Sequence, residues 1–260
     1  MQYQVNKKEN IYFIIKAIVT ILLLLLIVLS IPNIFAFKNT ATVATVVTFA
    51  LYLVIIVLFI LFQKVYLIAY MKGNGINVSQ NQFSEIYSLY LTMCSELGIR
   101  KIPKLFIIQE GGLLNAFAIR FSGSNYIAIY SDVFEMIEHD IDTLKFIIGH
   151  ELGHVKRMHM SKRFWTILSS IVPFLTAAYS RSCEYTCDNI GFSLVNADSK
   201  RALLLLAAGK ELYKQVDSDA YLSDAKINNT LSVKIMEYFM SHPYLPKRIR
   251  NIEKMDKEKV

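Results

Sequence analysis

Two long apolar runs near the N-terminus constrain the fold of this chain more than any other feature. Residues 17–31 and 43–62 contain no charged side chain, and a polar connection, residues 32–39, separates them. About 20 apolar residues in a helix are enough to span the hydrocarbon core of a bilayer. We therefore predict a transmembrane hairpin with spans at about 11–31 and 43–62. A signal peptide is the competing interpretation of the first run, since it has a basic start and the small residue Ala36 after its apolar core.

The distribution of basic residues predicts the orientation of this hairpin. Basic residues precede the first run and follow the second: Lys7, Lys8, Lys16, Lys64, Lys72, Arg100, Lys101 and Lys104. The connection carries Lys38, so the positive-inside rule places both termini in the cytoplasm of a cell whose plasma membrane holds the hairpin. Residues 1–72 then form the membrane domain and residues 73–260 a cytoplasmic one. Lys16, near the end of the first span, is expected to snorkel to the lipid head groups.

The net charge and the cysteine count limit the partners and the compartment. A charge of +7 can indicate nucleic acid, but here the basic residues flank apolar segments and no Gly-rich phosphate loop or nucleic-acid module accompanies them. This pattern favours an anionic lipid bilayer as partner and argues against nucleic acid. Three cysteines do not form an even disulfide framework, which indicates a reducing compartment.

The sequence His150-Glu151-Leu152-Gly153-His154 predicts a metal site on a helix. Apolar residues recur at helical spacing and form one face of this helix: Leu144, Ile147, Ile148 and Leu152. Asp140 or Asp142 can cap its start. One turn separates His150 from His154, so both imidazoles project from the same side and suit one zinc ion. Glu151 is rotated away from that edge, where it can hold a metal-bound water and take its proton. A chance match is disfavoured, because the chain has five histidines in all.

A catalytic zinc site needs a third protein ligand and keeps a fourth position for water. Glu184 and Asp188 lie one helical turn apart, so Glu184 can ligate while Asp188 accepts a hydrogen bond from a ligand imidazole. Two alternatives stay open. The acidic pair can lie on a solvated face with Arg181 as ion-pair partner, or Cys183 and Cys187 can complete a closed structural site. We expect the cysteines to be small buried hydrophobic side chains instead.

The remaining pattern of residues 73–260 predicts an α+β domain that is mostly helical, with a small hairpin or sheet. The elements indicated are helices at Ser79–Leu97, Asp132–His139, Ser199–Gln215 and Pro246–Val260, and strands at Lys104–Gln109, Ala116–Phe121 and Tyr126–Tyr130. The first of these helices is expected to bury Phe83. The last two strands are expected to form the hairpin, around a turn at residues 122–125.

A third apolar segment, residues 164–179, is shorter than the first two and is interrupted by Ser169, Ser170 and Pro173. A single membrane crossing there would place Glu184 on the opposite side of the bilayer from the two histidines. We therefore expect a core helix pair, a re-entrant hairpin or an interfacial segment. Four basic residues before it suit an interfacial segment: Lys156, Arg157, Lys162 and Arg163.

These motifs make the chain resemble the HtpX and CAAX-prenyl endopeptidase family of membrane zinc metallopeptidases, over roughly residues 78–252. The matching elements are His150-Glu151-Leu152-Gly153-His154, Ser180-Arg181 with Glu184 and Asp188, Asn115-Ala116-Phe117, and Ser241-His242-Pro243 with Arg248. The resemblance implies a gluzincin-like fold and one zinc ion per chain, held by the two histidines and Glu184. It also implies supporting roles for Asp188 and Arg248, a catalytic role for His242, and substrate binding by Asn115, Ala116 and Phe117.

Two differences from typical members of this family indicate which members the chain resembles most. HtpX-type chains usually carry two membrane spans between H-E-x-x-H and the third ligand, whereas this chain has the short segment 164–179, and CAAX endopeptidases need many spans to enclose a chamber. The chain therefore looks closer to small two-span bacterial relatives.

A metzincin-type zinc site is also disfavoured. The third histidine of that site would stand at position 160, where this chain has Met160, and His159 is one position too early.

These features predict a membrane-anchored zinc metalloendopeptidase that hydrolyses peptide bonds in membrane or misfolded proteins, with Glu151 as general base. His242 is expected to share the negative charge that develops on the carbonyl oxygen. Strand 116–121 offers an edge on which an extended substrate can pair, so broad specificity is expected. The alternative is a membrane-tethered binding or chaperone-like protein with a degenerate peptidase site. The complete set of two histidines, Glu151 and a candidate third ligand favours the enzyme.

Overall fold

Two long helices open the chain in the computed structural model of this protein, which describes residues 3–36, 40–109, 116–135, 140–195 and 200–259. They are α1 (Lys7–Ala36) and α2 (Thr40–Asn74). Both are long and apolar enough to cross a membrane, at Lys7–Ser30 and Thr40–Asn74. Many large hydrophobic side chains along them are exposed in the protein itself. The two apolar helices that a transmembrane hairpin requires are therefore present, as predicted.

A mostly helical domain follows, as predicted. Its helices are α3 (Ser84–Glu96), α4 (Ser131–Phe134), α5 (Ile141–Lys156), α6 (His159–Trp165), α7 (Leu175–Ser193), α8 (Lys200–Leu212), α9 (Ser218–Ile227), α10 (Leu231–Glu237) and α11 (Leu245–Lys259). Short 3-10 turns lie at Ile167–Ile171 and Tyr213–Gln215. Helix α3 begins at Ser84 rather than Ser79, because Phe83 adopts a left-handed backbone with φ 62°. The prediction that Phe83 is buried is wrong, since this residue is 42% exposed.

Within the described ranges, four strands form a mixed sheet in the order β1, β2, β4, β3. They are β1 (Ile76–Asn77), β2 (Lys104–Ile108), β3 (Ala116–Phe121) and β4 (Ser124–Tyr130). Strands β3 and β4 form the predicted antiparallel hairpin. Ser122 and Gly123 in its turn both have positive φ, 46° and 73°, as a two-residue hairpin turn of type I′ requires. Strand β2 pairs with β4 in parallel, which the sequence did not predict, and β3 lies at the edge of the sheet.

The sheet lies between two hydrophobic clusters because its side chains alternate between two faces. Leu105 and Ile107 join the main core, to which α3, α5, α7, α8 and α11 contribute buried residues. Phe106 and Ile108 point to the other face, where they pack near Met71 in the last turns of α2. The second apolar helix is thereby tied to the domain, and α5 packs against both α7 and the edge strand β3.

The first turns of α1 pack on the domain as well. Helix α1 contacts α7 and the 3-10 turn that precedes it. Lys16 is 1% exposed, and its Nζ donates a hydrogen bond to Thr176 Oγ1 at 2.8 Å. The prediction that Lys16 snorkels to lipid head groups is therefore wrong, because α7 provides a partner for its ammonium group inside the protein.

Segment 164–179 does not form one helix. It comprises the end of α6, the 3-10 turn at Ile167–Ile171, a turn at Pro173 and Phe174 and the start of α7. In the part of the chain that the structure describes, the helices long and apolar enough to cross a membrane are α1 and α2. Trp165 and Ile171 are 74% and 75% exposed, so this segment is not a buried helix pair either.

Candidate metal and active site

The H-E-x-x-H motif lies in the second half of α5, as predicted. The Asp140 side chain caps this helix by accepting a hydrogen bond from a backbone N–H of the first turn. Helices α5 and α7 approach closely through glycines. A Cβ added at Gly149 would lie 3.0 Å from Gly191 Cα, and one at Gly191 would lie 2.8 Å from the Phe146 carbonyl oxygen. Larger side chains would force the helices apart, so these glycines hold the histidines of α5 close to the acidic residues of α7.

His150 is oriented by two carboxylates. Its Nδ1 lies 3.0 Å from Asp188 Oδ1, and its Nε2 lies 3.3 Å from Glu184 Oε2. Burial disfavours the charged imidazole, but the two carboxylates outweigh burial and raise the pKa of His150 to about 10. Because Nδ1–H donates to Asp188, Nε2 is the atom that can coordinate a metal after it loses its proton.

His154 faces Glu184 with one nitrogen and a third histidine with the other. Its Nε2 lies 3.5 Å from Glu184 Oε1, and its Nδ1 lies 3.0 Å from Nδ1 of His159. Burial is the main cause that holds the pKa of His154 well below its usual value, and neighbouring cationic groups lower it further although Glu184 opposes them. The imidazole is therefore neutral, which is the form that binds metals.

The Glu184 carboxylate lies between the two Nε2 atoms and is 2% exposed. Burial raises its pKa, but His150, His154 and Arg248 outweigh that effect and hold the pKa of Glu184 well below its usual value. An ionised carboxylate thus faces one imidazole nitrogen of each histidine, with a different oxygen toward each. This donor set, two histidines and a glutamate, fits the ligand shell of a catalytic zinc ion.

The grouping of possible ligand atoms that lie close together contains a cysteine and does not include Glu184. Cys187 Sγ and one nitrogen each of His150 and His154 lie within 4.8 Å of one another. Burial raises the pKa of the Cys187 thiol well above its usual value, and Sγ lies 3.7 Å from His159 Nδ1. We favour Glu184 as the ligand, because its oxygens face the Nε2 atoms of both histidines while the Nδ1 atoms are engaged elsewhere. Cys187 and Cys183 are free buried thiols.

Asp188 is the centre of a buried hydrogen-bond network. It is 0% exposed, so the alternative of a solvated acidic face is wrong. Arg248 of α11 donates to it from Nε at 2.8 Å and from Nη2 at 2.6 Å. Burial raises the pKa of Asp188, but Arg248 and His150 more than compensate, so the carboxylate is ionised. The structure thus brings Arg248 and His150 together on one carboxylate.

The carboxylate of Glu151 contacts the edge strand β3. The side chain is buried, and its carboxylate accepts a hydrogen bond from the backbone N–H of Ala118 in β3. Burial, assisted by the negative charge of Glu184, raises the pKa of Glu151 to about 7, while His150 and Arg248 act in the opposite direction. A carboxylate with this pKa can both accept and return a proton near neutral pH.

A cavity of about 300 Å³ opens in front of these residues. Ala116, Phe117 and Ala118 of β3 line one side, so two of the three predicted substrate-binding residues border it. The third, Asn115, lies outside the described residues. His242 lies at the mouth of the cavity, where its side chain is 61% exposed and its Nε2 is 3.6 Å from Glu184 Oε1.

Two residues of this region have roles that the sequence did not indicate. Arg181 pairs with no acidic residue of α7; its Nη1 donates to the carbonyl oxygens of Glu237, Tyr238 and Met240, at 2.7, 3.3 and 2.7 Å. It thereby fixes the backbone just before His242. His159 is the second such residue. The sequence drew attention to it only because it stands one position before the place of the third metzincin histidine.

This chain is similar to known proteases over much of its length. The chain matches Peptidase family M48 over residues 80–176 and 164–256. A protein named "Protease HtpX homolog" from Helicobacter acinonychis (strain Sheeba) is 26% identical over 222 residues, which cover 68% of this chain and 69% of that protein. The protein of the same name from Helicobacter pylori (strain J99) is 27% identical over 222 residues, 68% of each chain. One from Fusobacterium nucleatum is 30% identical over 125 residues, 45% of this chain and 40% of that protein. The chain therefore belongs to Peptidase family M48.

Proposed function

We propose that this protein is a membrane-anchored zinc endopeptidase that hydrolyses peptide bonds in membrane or misfolded proteins. One observation carries the proposal. The carboxylate of Glu184 faces the Nε2 atoms of His150 and His154 beside the buried Glu151, at a cavity bordered by an edge strand. This is the ligand set, the base and the substrate position that metal-dependent peptide hydrolysis needs.

His150, His154 and Glu184 would hold the zinc ion. Their fit is supported by the hydrogen bonds behind them, since Asp188 occupies Nδ1 of His150 and His159 faces Nδ1 of His154. When bound, the ion would supply Lewis-acid activation of a water molecule and of the scissile carbonyl group.

The other residues would handle protons and position the substrate. Glu151, with its pKa near 7, would take a proton from the attacking water and pass it to the leaving amine. His242 at the mouth of the cavity would donate a hydrogen bond to the carbonyl oxygen as negative charge develops there. Phe117 and its neighbours on the edge strand β3 would pair with the backbone of an extended substrate, which reads little of its side chains.

The proposed orientation places residues 73–260 in the cytoplasm, with residues 164–171 in the membrane interface. Trp165 and Ile171 are strongly exposed, and the 3-10 turn between them packs on α1. Lys64, which ends the apolar run of α2, holds its Nζ 5.9 Å from the centroid of the Phe164 ring. Exposed apolar and aromatic side chains at the ends of both predicted spans favour contact with the lipid head-group region.

The experiment for this function is casein cleavage by the purified protein, with zinc content measured on the same sample. We expect cleavage that a chelator abolishes and added zinc restores. Glu184→Ala should lose both zinc and cleavage, whereas Cys187→Ser should keep both, because Cys187 is not a ligand in this proposal. Casein binding without cleavage by the zinc-loaded protein would favour the chaperone-like alternative, and zinc loss in Cys187→Ser alone would favour the site that contains cysteine.

A further inference from the structure

We propose that Glu9, in the first turn of the N-terminal membrane helix, is a positioning residue for the metal ligand His154 and acts through His159. This inference rests on the proposed function, since it assigns a role within the same zinc site. It connects the helix that anchors the protein to the geometry of its metal centre.

The contacts form a continuous chain through the protein interior. Glu9 is 0% exposed, although it is a carboxylate close to the N-terminus. Its Oε1 lies 3.2 Å from Nε2 of His159, which is also buried. Nδ1 of His159 lies 3.0 Å from Nδ1 of His154. The Nε2 of His154 then faces Glu184 Oε1 at 3.5 Å, where the metal is expected.

The positions of the protons follow from this geometry. A carboxylate beside Nε2 of His159 favours the tautomer that carries its proton on Nε2, which leaves Nδ1 as an acceptor. Nδ1 of His154 must then be the donor across the 3.0 Å contact. With its proton on Nδ1, His154 presents a lone pair at Nε2, the form that coordinates a metal. Glu9 would thus act on His154 as Asp188 acts on His150, but through an intervening imidazole.

Glu9 also helps to dock α1 on the domain. It contacts Arg157, whose Nε donates to Oε1 at 3.0 Å, and Lys162 lies 3.6 Å away. Other contacts also hold α1 in place: Asn6 N donates to Thr186 Oγ1, Asn189 Nδ2 to the Gln4 carbonyl, Arg157 Nη2 to Asn10 Oδ1 and Lys16 Nζ to Thr176 Oγ1. Glu9 is thus one of several docking contacts of α1, and it is the one that also lies beside His159 and can fix its tautomer.

The test measures zinc affinity in the full-length detergent-solubilised protein, by competition with a chromophoric chelator, so that it does not depend on peptidase activity. Glu9→Ala should weaken zinc binding about 10–100-fold, as loss of the partner of a ligand histidine generally does. Glu9→Gln should stay close to the parent, because its amide oxygen can still lie beside Nε2–H of His159 and favour the same tautomer. Lys16→Met is the matched control: it removes a docking contact of α1 and should leave zinc affinity unchanged.

A second pair of variants tests the intermediate residue. His159→Asn keeps an oxygen that can accept from Nδ1–H of His154, whereas His159→Leu does not, so the leucine variant alone should lose about 10–100-fold in affinity. In a double variant, Glu9→Ala should cost nothing further on the His159→Leu background. The inference would be overturned by additive losses of zinc affinity in the double variant or by equal affinities of His159→Asn and His159→Leu. A loss in Lys16→Met equal to that in Glu9→Ala would overturn it as well. A parent protein that binds no zinc would overturn the proposed function and this inference with it.

Discussion

Arg248, in the last helix of the chain, donates two hydrogen bonds to the Asp188 carboxylate, from Nε at 2.8 Å and from Nη2 at 2.6 Å. Both side chains are buried, and Asp188 also lies 3.0 Å from Nδ1 of His150. The guanidinium group therefore neutralises the carboxylate that orients His150, a proposed metal ligand. Helix α11 thereby supplies a buried partner for Asp188, as the family resemblance implies for Arg248.

Replacing this guanidinium should damage the site and the fold together. Arg248→Met leaves the buried Asp188 charge unpaired, so we expect a loss of about 3–5 kcal/mol in stability. We also expect zinc affinity to fall about 10–100-fold, because His150 loses its fixed partner. Arg250→Met, in the same helix, is the control: it removes a hydrogen bond to the Leu222 carbonyl and should leave zinc affinity intact. Thermal unfolding and chelator competition measure both effects, and equal zinc affinities in the two variants would contradict this account.

The close approach of α5 and α7 gives a second prediction. A Cβ at Gly191 would lie 2.8 Å from the Phe146 backbone oxygen and 3.2 Å from its ring, so Gly191→Ala should separate the helices at a cost of about 1–3 kcal/mol and lower zinc occupancy. Gly73→Ala is the matched control in α2, since no heavy atom lies within 4 Å of its added Cβ. Unchanged thermal stability and full zinc content in Gly191→Ala would show that the glycine contact does not set the helix distance.

Local sequence patterns predicted most of the fold and the centre of the site. The one-turn spacing of His150 and His154 and the turn at Ser122 and Gly123 follow from interactions within a few residues, so both could be inferred. The parallel pairing of β2 with β4 could not, because it depends on the assembly of the sheet. The burial of Lys16 was missed for the same reason: its partner Thr176 lies 160 positions away, and an isolated apolar run with a lysine reads as lipid-facing.

Zinc binding should release a proton. Without metal, the two carboxylates raise the pKa of His150 to about 10, so its ring is protonated at pH 7 to 9. A metal needs the neutral ring, so binding must displace that proton, and the apparent zinc affinity should rise about tenfold per pH unit across this window and level off above pH 10. Calorimetry in buffers with different ionisation enthalpies counts the protons released. A zinc affinity independent of pH between 7 and 9 would contradict the charged state assigned to His150.

The single tryptophan of the chain tests the interfacial placement of residues 164–171. Trp165 should be quenched when the protein is reconstituted in vesicles of brominated lipids, since its side chain is exposed beside the ends of both predicted spans. Aqueous iodide should quench it less in vesicles than after unfolding in denaturant. Strong iodide quenching together with no effect of brominated lipid would place Trp165 in water and remove the interfacial interpretation.

The central claim is that Glu151 is the base of a zinc peptidase, and Glu151→Gln tests it most directly. Glutamine keeps the size and the hydrogen-bonding oxygen of the side chain but cannot take a proton. The three proposed ligands are untouched by this change. The measurement is peptide hydrolysis by zinc-loaded parent and variant, with zinc content determined on the same samples. We predict equal zinc content and a rate at least about 10²–10⁴-fold lower in the variant; cleavage at the parent rate with zinc bound would contradict the account.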